Sequence, residues 1–246
     1  MKRIVSALVA LCVLFLISGM AFATGAREYG GRWISGSGIV TTETRVVSDF
    51  TGIIVEGSGD VELSQGLIQS VTVECDQNIQ QYVKTDVVGG TIHLGFKNNT
   101  SIRSMTRMVF HITIPRLQTV VIAGSGNVRI PAPVLADTVS LSIRGSGDID
   151  AVLVVGRLTA TIDGSGDIGV SGKSNDLAIT INGSGSVRAD RLAGVRADVR
   201  INGSGNAQVS ASETVAIRIT GSGDVEYSGG GRATVSSSGS GTARQK

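Results

Sequence analysis

Four aspartates and two asparagines occupy the same place after a Gly-Ser-Gly triplet, and their type and spacing could support chemistry. The tetrapeptide GSGD begins at Gly57, Gly145, Gly164 and Gly221, and the related GSGN, GSGS and GSGT follow the same triplet elsewhere. A row of side-chain oxygens can bind a hard cation such as calcium. It can also accept hydrogen bonds from the backbone amides of turns.

The spacing favours turns over calcium. Calcium-binding β-rolls repeat their acidic residue about every nine residues, whereas the triplets from Gly124 onward recur every 18 to 21 residues. The acid is also replaced by Asn, Ser or Thr in half of the copies. A cation between Asp148 and Asp167 remains the alternative. We predict structural corners, and no metal, cofactor or catalytic site, at Gly57, Gly59, Asp60, Gly124, Gly126, Asn127, Gly145, Gly147, Asp148, Gly164, Gly166, Asp167, Gly183, Gly185, Gly203, Gly205, Asn206, Gly221, Gly223 and Asp224.

Two short matches to nucleotide-binding motifs lack the required context. Residues 164–169 read GSGDIG, but the dinucleotide fingerprint needs a following helix, and the repeat continues instead. Residues 172–174 read GKS, but Asp167 stands where a phosphate-binding loop opens with glycine.

The remaining reactive side chains are few. His93 and His111 are the only histidines; each lies in an alternating strand and is expected at the solvated surface, with a metal pair as the alternative. Cys75 alternates with Val71 and Val73, so we expect it in the core.

The elements that position the corners are short strands. Apolar and polar residues alternate on both sides of each triplet, which is typical of half-buried strands. The position two residues before the first glycine is always aliphatic: Val55, Ile122, Ile143, Ile162, Ile181, Ile201 and Ile219. Residues 154–156 and 172–175 are predicted to form a second, variable turn.

A unit of this length cannot bury its apolar face alone, so we predict that equivalent strands stack. The expected fold is all-β: a single-stranded parallel β-helix, right-handed, with coils of about 19 residues, GSG corners and a less regular N-terminal half. Gly124 follows Gly57 by 67 residues, which leaves room for about three further coils. The loop at residues 98–101, within the irregular region 66–114, is the expected protrusion.

The N-terminus predicts export. Lys2 and Arg3 precede an apolar run that ends in Ala21-Phe22-Ala23, the pattern of a signal peptide cleaved after Ala23. Of the two cysteines, only Cys75 then remains, so no intramolecular disulfide is possible. The mature chain has equal numbers of acidic and basic residues and no basic stripe, which argues against nucleic acid as a partner.

The chain resembles a known family over nearly its whole mature length. The stretches that carry the resemblance are ETRVVSDFTGIIVEGSGDVELSQG from Glu43, SVTVECDQNIQQYVKTDVVGGTIHLGF from Ser70, and ITGSGDVEYSGGGRATVSSSGSG from Ile219. Together they resemble the GIN-domain family of secreted bacterial adhesin-like proteins, sometimes labelled auto-transporter heads. The resemblance implies an exported β-helical domain with no established catalytic residues. No translocator segment is expected after Gly241.

We therefore expect a signal peptide (1–23), an N-terminal linker or cap (24–44), a GIN-type β-helix domain (45–230), and a weak last coil with a tail (231–246). The function expected is that of an exported, non-catalytic binding, adhesion or scaffold module, located in the periplasm, at the cell surface or outside the cell. Its expected partner is an envelope protein or a glycan, without a transmembrane segment in the mature chain. A polysaccharide-acting enzyme and a protein that self-assembles through its coil ends are the alternatives.

Overall fold

The computed structural model describes residues 33–246, and the signal sequence with its cleavage site at Ala23 lies outside them. The described residues form eighteen strands, one short 3₁₀ helix and no α-helix. The strands are β1 (Trp33–Ser35), β2 (Val40–Thr44), β3 (Gly52–Gly57), β4 (Asp60–Gln65), β5 (Ser70–Asp76), β6 (Val83–Val88), β7 (Thr91–Phe96), β8 (Ser101–Ser104), β9 (Met108–Ile114), β10 (Thr119–Gly124), β11 (Val128–Ile143), β12 (Ile149–Gly164), β13 (Ile168–Gly183), β14 (Ser186–Gly203), β15 (Asn206–Gly221), β16 (Val225–Ser228), β17 (Arg232–Gly239) and β18 (Ala243–Gln245). The 3₁₀ helix spans Gln80–Tyr82.

Parallel stacking of equivalent positions builds the fold, and the predicted β-helix is confirmed. Strands β11 to β15 each form one coil, and each pairs in parallel with the next. For example, Ile162 lies between Ile143 and Ile181 in the ladder. The aliphatic positions before each corner are buried in every coil from β10 to β15, because alternation points them into the interior.

The prediction of a second, variable turn between strands is wrong. Residues 154–156 and 172–175 lie inside β12 and β13, and the ladder runs through them, with Leu153 opposite Gly172 and Val155 opposite Ser174. Leu153 and Val155 are buried while Val154 is exposed. The chain therefore bends here without leaving the hydrogen-bonded stack, so each coil is a single strand of 16 to 18 residues.

The prediction of about three further coils between Gly57 and Gly124 is also wrong, since these two residues pair directly. The intervening chain leaves the stack after β4 and extends its N-terminal end: β7 pairs with β3, and β9 pairs with β4. Antiparallel strands then cover this end, with β6 on β7, β5 on β9, and β2 on β5. Antiparallel pairing therefore closes the first coils in place of further coils; it is local in the β6–β7 hairpin and long-range between β5 and β9.

At the other end, β17 pairs with β15 and β18 pairs with β16. The core positions of this last coil hold small or polar residues, and Val235 in β17 is 46% exposed. The coil still covers Val215, Ile217 and Ile219 of the preceding coil, which are all buried.

Candidate functional site

The GSG corners continue the hydrogen-bonded stack around the edge of the rod. In the corners from Ser125 to Ser222, the serine amide donates to the first glycine of the preceding coil, as in Ser146 to Gly124 O at 3.0 Å and Ser165 to Gly145 O at 3.0 Å. The second glycine lies directly over its counterpart: a Cβ on Gly166 would lie 2.0 Å from the carbonyl oxygen of Gly147. A side chain there would separate the coils, so the corner requires a close backbone approach.

The Asp and Asn side chains that follow the triplets accept hydrogen bonds from the next coil. Asp148 Oδ1 accepts from the Asp167 amide at 2.8 Å, and Asn127 Oδ1 accepts from the Asp148 amide at 3.1 Å. The same geometry joins Asn206 to the amide of Asp224 at 2.9 Å. The amide that each side chain bonds belongs to the equivalent corner of the next coil, so these bonds tie coils to one another.

The aspartate carboxylates of this row also accept hydrogen bonds from other donors, which offset their negative charge. Asp167 Oδ1 accepts from the Ser186 amide at 2.9 Å, and Asp167 Oδ2 accepts from Arg188 at 2.8 Å. Hydrogen bonds from the Thr242 side chain and backbone lower the pKa of Asp224. Within residues 33–246, no group of three or more His, Cys, Asp or Glu side chains is arranged to hold a metal ion.

The two histidines lie on different sides of the rod and bond to glutamates, which the sequence did not indicate. His93 Nδ1 is 2.7 Å from Glu56 Oε1, and Lys84 Nζ donates to the same carboxylate at 2.9 Å. The hydrogen bonds from His93 and Lys84 lower the pKa of Glu56. His111 lies between Glu62 and Glu74, with 3.1 Å to each. The prediction of surface histidines is confirmed in part: the side chains of His93 and His111 are 23% and 39% exposed, and neighbouring strands supply an acidic partner to both rings.

Cys75 lies in the core, as predicted, with no exposed surface. Burial raises the pKa of its thiol to about 11, which leaves little of the reactive thiolate at neutral pH. Next to it, the Asp76 carboxylate is fully buried. It accepts from the Thr106 amide at 2.6 Å and from the Gly38 amide at 2.6 Å, and these bonds lower its pKa, the Thr106 bond most.

The predicted protrusion at residues 98–101 is partly correct. Asn98 and Asn99 are exposed in the turn after β7, and Asn99 has a positive φ of 62°. Ser101, however, begins β8, which pairs with β1 opposite Trp33.

A groove that the sequence did not reveal opens where the chain leaves the stack. It has a volume of about 970 Å³, with Leu117 buried, Arg116 and Leu135 exposed, and Gln65 at one side. The Gln65 carboxamide donates to Leu135 O at 3.0 Å and to Pro115 O at 3.1 Å, and accepts from the Leu135 amide at 2.8 Å. The Gln65 side chain thus makes the hydrogen bonds with the Leu135 backbone that a neighbouring strand would otherwise make.

The outward faces of the coils carry polar side chains in register. Before the corners, one such row runs through Ser142, Thr161, Thr180, Arg200 and Arg218. Strand spacing places successive members about 4.8 Å apart. The result is a regular hydrogen-bonding surface on a closely packed core.

Stacked parallel coils, glycine corners and polar outward rows define a β-helical repeat protein. The family model described as "Putative auto-transporter adhesin, head GIN domain" matches residues 49–231, and the chain belongs to this family.

Crystal structures of similar proteins share the fold. A putative adhesin from Bacteroides fragilis has a TM-score of 0.83 at 23% identity, covering 87% of this chain and 100% of that one. A protein from Parabacteroides distasonis named as a putative lipid binding protein has a TM-score of 0.74 at 26% identity, with the same coverage. A putative adhesin from Parabacteroides merdae has a TM-score of 0.67 at 22% identity, covering 87% of this chain and 98% of that one.

No curated protein matches the chain. Residues 33–246 contain no helix with the length and apolar character needed to cross a bilayer.

Proposed function

We propose that this protein is an exported, non-catalytic binding module of the bacterial envelope, which uses one side of its rod for adhesion or as a scaffold. The observation that carries the proposal is the outward row through Ser142, Thr161 and Thr180, held in register by buried aliphatic ladders. Side chains fixed on stacked strands lose little conformational freedom on binding, which lowers the entropic cost of a contact.

A regular row suits an extended partner. Hydroxyl and guanidinium groups that recur about every 4.8 Å can bond to successive units of a glycan or of an extended polypeptide. Each contact is weak alone, and several contacts to one chain reinforce one another through effective concentration. An envelope glycan or an envelope protein is therefore the partner class that this surface fits.

The comparisons support the same proposal. The family and most of the similar structures carry adhesin names, and one relative carries a lipid-binding name. These names support a binding role over a catalytic one, and they make lipid vesicles a necessary arm of the test.

The experiment uses the chain from Thr24 to Lys246, screened against an array of glycans, against envelope proteins and against lipid vesicles. A face variant with Thr161→Asp and Thr180→Asp is expected to weaken binding at least fivefold. A corner variant, Asp148→Ala, is expected to lower stability but to retain binding. Circular dichroism checks that both variants keep the β fold.

Two results would contradict the proposal. One is loss of binding in the corner variant while its fold is intact, because the corners would then be the ligand site. The other is reproducible release of reducing ends from cell-wall or uronic-acid polymers, which would favour the polysaccharide-acting enzyme.

Self-assembly is a second candidate, favoured by β17, where Val235 occupies a core position and yet is 46% exposed. Exposed strands with apolar residues can pair with a second chain. Light scattering coupled to size exclusion measures the molar mass directly, and a monomer at all concentrations would exclude this candidate.

A further inference from the structure

We propose that the hollow over Gly169 binds a carboxylate-bearing sugar residue of an extended glycan. This inference rests on the proposed binding function, and it assigns the rod a second contact surface and names the ligand class of that surface. The hollow lies on the outward side that follows the corners, away from the Thr161 row, and has a volume of about 420 Å³.

The hollow exists because a glycine interrupts a row of long side chains. The ladder places Arg129 beside Asp150, Asp150 beside Gly169, and Gly169 beside Arg188. A Cβ on Gly169 would lie 2.4 Å from Asp150 Oδ1, so the carboxylate of Asp150 lies over the glycine and covers it. The missing side chain thus creates the space and sets the position of the acid within it.

Two arginines at the hollow are available for an anion. Arg129 and Arg191 line it and are exposed, and neither forms an ion pair with another residue of 33–246. Arg188, in the same row, is by contrast engaged by Asp167 at 2.8 Å. The planar guanidinium group matches a carboxylate with two parallel hydrogen bonds, which a lysine cannot do.

Asp150 restricts the ligand to one that also carries hydroxyl groups. An ionised carboxylate only accepts hydrogen bonds, so Asp150 in the hollow favours O–H donors and repels a second negative charge. The Ser171 hydroxyl, beside Arg191 in the ladder, adds a donor and acceptor. A ligand with one acid group flanked by hydroxyls satisfies this arrangement, whereas a densely charged polyanion does not.

The remaining wall is aliphatic. Pro131 and Val152 line the hollow beside these polar groups and offer a surface for the C–H face of a sugar ring. Arg129, Asp150, Ser171 and Arg191 lie on four successive coils, so strand spacing and the rise along a strand give the polar groups an extent of about 14 Å by 7 Å. This area suits two or three sugar rings, and the open shape allows a polymer to continue past the site on both sides.

The test measures binding of sialyllactose, an alginate trisaccharide and a galacturonic-acid trisaccharide by saturation-transfer NMR and calorimetry. Lactose and galactotriose serve as neutral probes, and a dextran sulfate fragment serves as the polyanion probe. We expect at least one carboxylated sugar to bind at least tenfold more tightly than its neutral counterpart. The Arg191→Ala and Arg129→Ala variants should each lose at least fivefold of that affinity.

Gly169→Ala provides the sharpest variant. Its Cβ would meet the flexible end of Asp150 and come no closer than 3.9 Å to backbone, so the fold is expected to remain while the acid is displaced and the hollow is filled. Arg103→Ala is the matched control, since it removes an exposed arginine from β8, away from both the hollow and the Thr161 row. The Gly169 variant should lose binding at least fivefold, and the Arg103 variant should stay within twofold of the parent.

Several outcomes would overturn the inference. They are equal binding of acidic and neutral sugars, tightest binding of dextran sulfate, or equal effects of Arg191→Ala and Arg103→Ala. If other glycans or envelope proteins bind and the hollow variants leave that binding unchanged, this inference fails while the proposed function survives. If no glycan, protein or vesicle binds at all, both fail.

Discussion

Gly166→Ala tests whether the corners are glycine because coils approach closely there. The added Cβ would lie 2.0 Å from the carbonyl oxygen of Gly147 and 3.1 Å from Ile143 Cγ2, and both atoms are held by the stack. Contacts of this kind essentially never fall below 3.0 Å, so the two coils must separate by about 1 Å at the corner. Such a movement strains two hydrogen bonds to the preceding coil, from the Ser165 amide at 3.0 Å and from the Asp167 amide at 2.8 Å.

The expected loss follows from those contacts. A neutral hydrogen bond contributes about 1 kcal/mol and one to a charged group about 2 kcal/mol, so losing both lowers the free energy of unfolding by about 3 kcal/mol. Gly90→Ala is the control, because Gly90 has a φ of +74° and nothing within 4 Å of its Cβ position. Left-handed strain alone costs about 1 kcal/mol.

Urea unfolding followed by circular dichroism gives both values. Gly166→Ala should lose about three times as much stability as Gly90→Ala. Equal losses would show that the stack relaxes around the added methyl group, so that coil contact does not require glycine at this position.

Three further variants test the contacts between coils and at the N-terminal end. Asp148→Ala removes the acceptor for the Asp167 amide and should lower the free energy of unfolding by about 1–2 kcal/mol in urea titrations, whereas Asp148→Asn keeps an oxygen there and should lose less than half of that. The pKa of Asp76 is lowered in the folded protein, so its contribution to stability is present above the ordinary aspartate pKa and is lost as pH falls through the lower folded value. In thermal melts, Asp76→Asn should therefore lose less stability on acidification than the parent protein. Parallel pH profiles of the two proteins would contradict this. Gln65→Glu places a carboxylate against the Leu135 carbonyl and removes the donor, so in urea unfolding it should destabilise by about 2 kcal/mol, more than Gln65→Leu, which removes the donor without adding a charge. Negligible losses in both variants would show that the carboxamide is dispensable.

The regular coils could be predicted from the sequence because the pattern that specifies them recurs within each coil. A period of 18 to 21 residues, with an aliphatic residue such as Ile162 two places before each triplet, fixes both the strand face and the register of stacking. The GSG triplet at residues 164–166 predicted a corner in the same way. Nothing in the pattern, however, distinguished a turn from a bend inside a continuous strand at residues 154–156, since both present one exposed residue between buried ones.

The N-terminal half could not be predicted, because its pairings join residues far apart in sequence. The contact of Gly57 with Gly124 skips 66 intervening residues, and β5 pairs with β9 across residues 77–107, so neither pairing follows from a repeat. The bridging role of Gln65 depends on tertiary position alone. The hollow at Gly169 became visible only once the ladder placed that glycine between Asp150 and Arg188.

The register of the stack is the claim on which both proposals depend, and distances between spin labels test it most directly. Ser142, Thr180, Arg200, Arg218 and Ser236 belong to one outward row, with one coil between Ser142 and Thr180 and successive coils thereafter. Double electron–electron resonance between a label at position 142 and a label at 200, 218 or 236 should give mean distances that grow by about 4.8 Å per coil. Distances that stay constant, or that grow by about 10 Å as between packed sheets, would contradict a single winding rod.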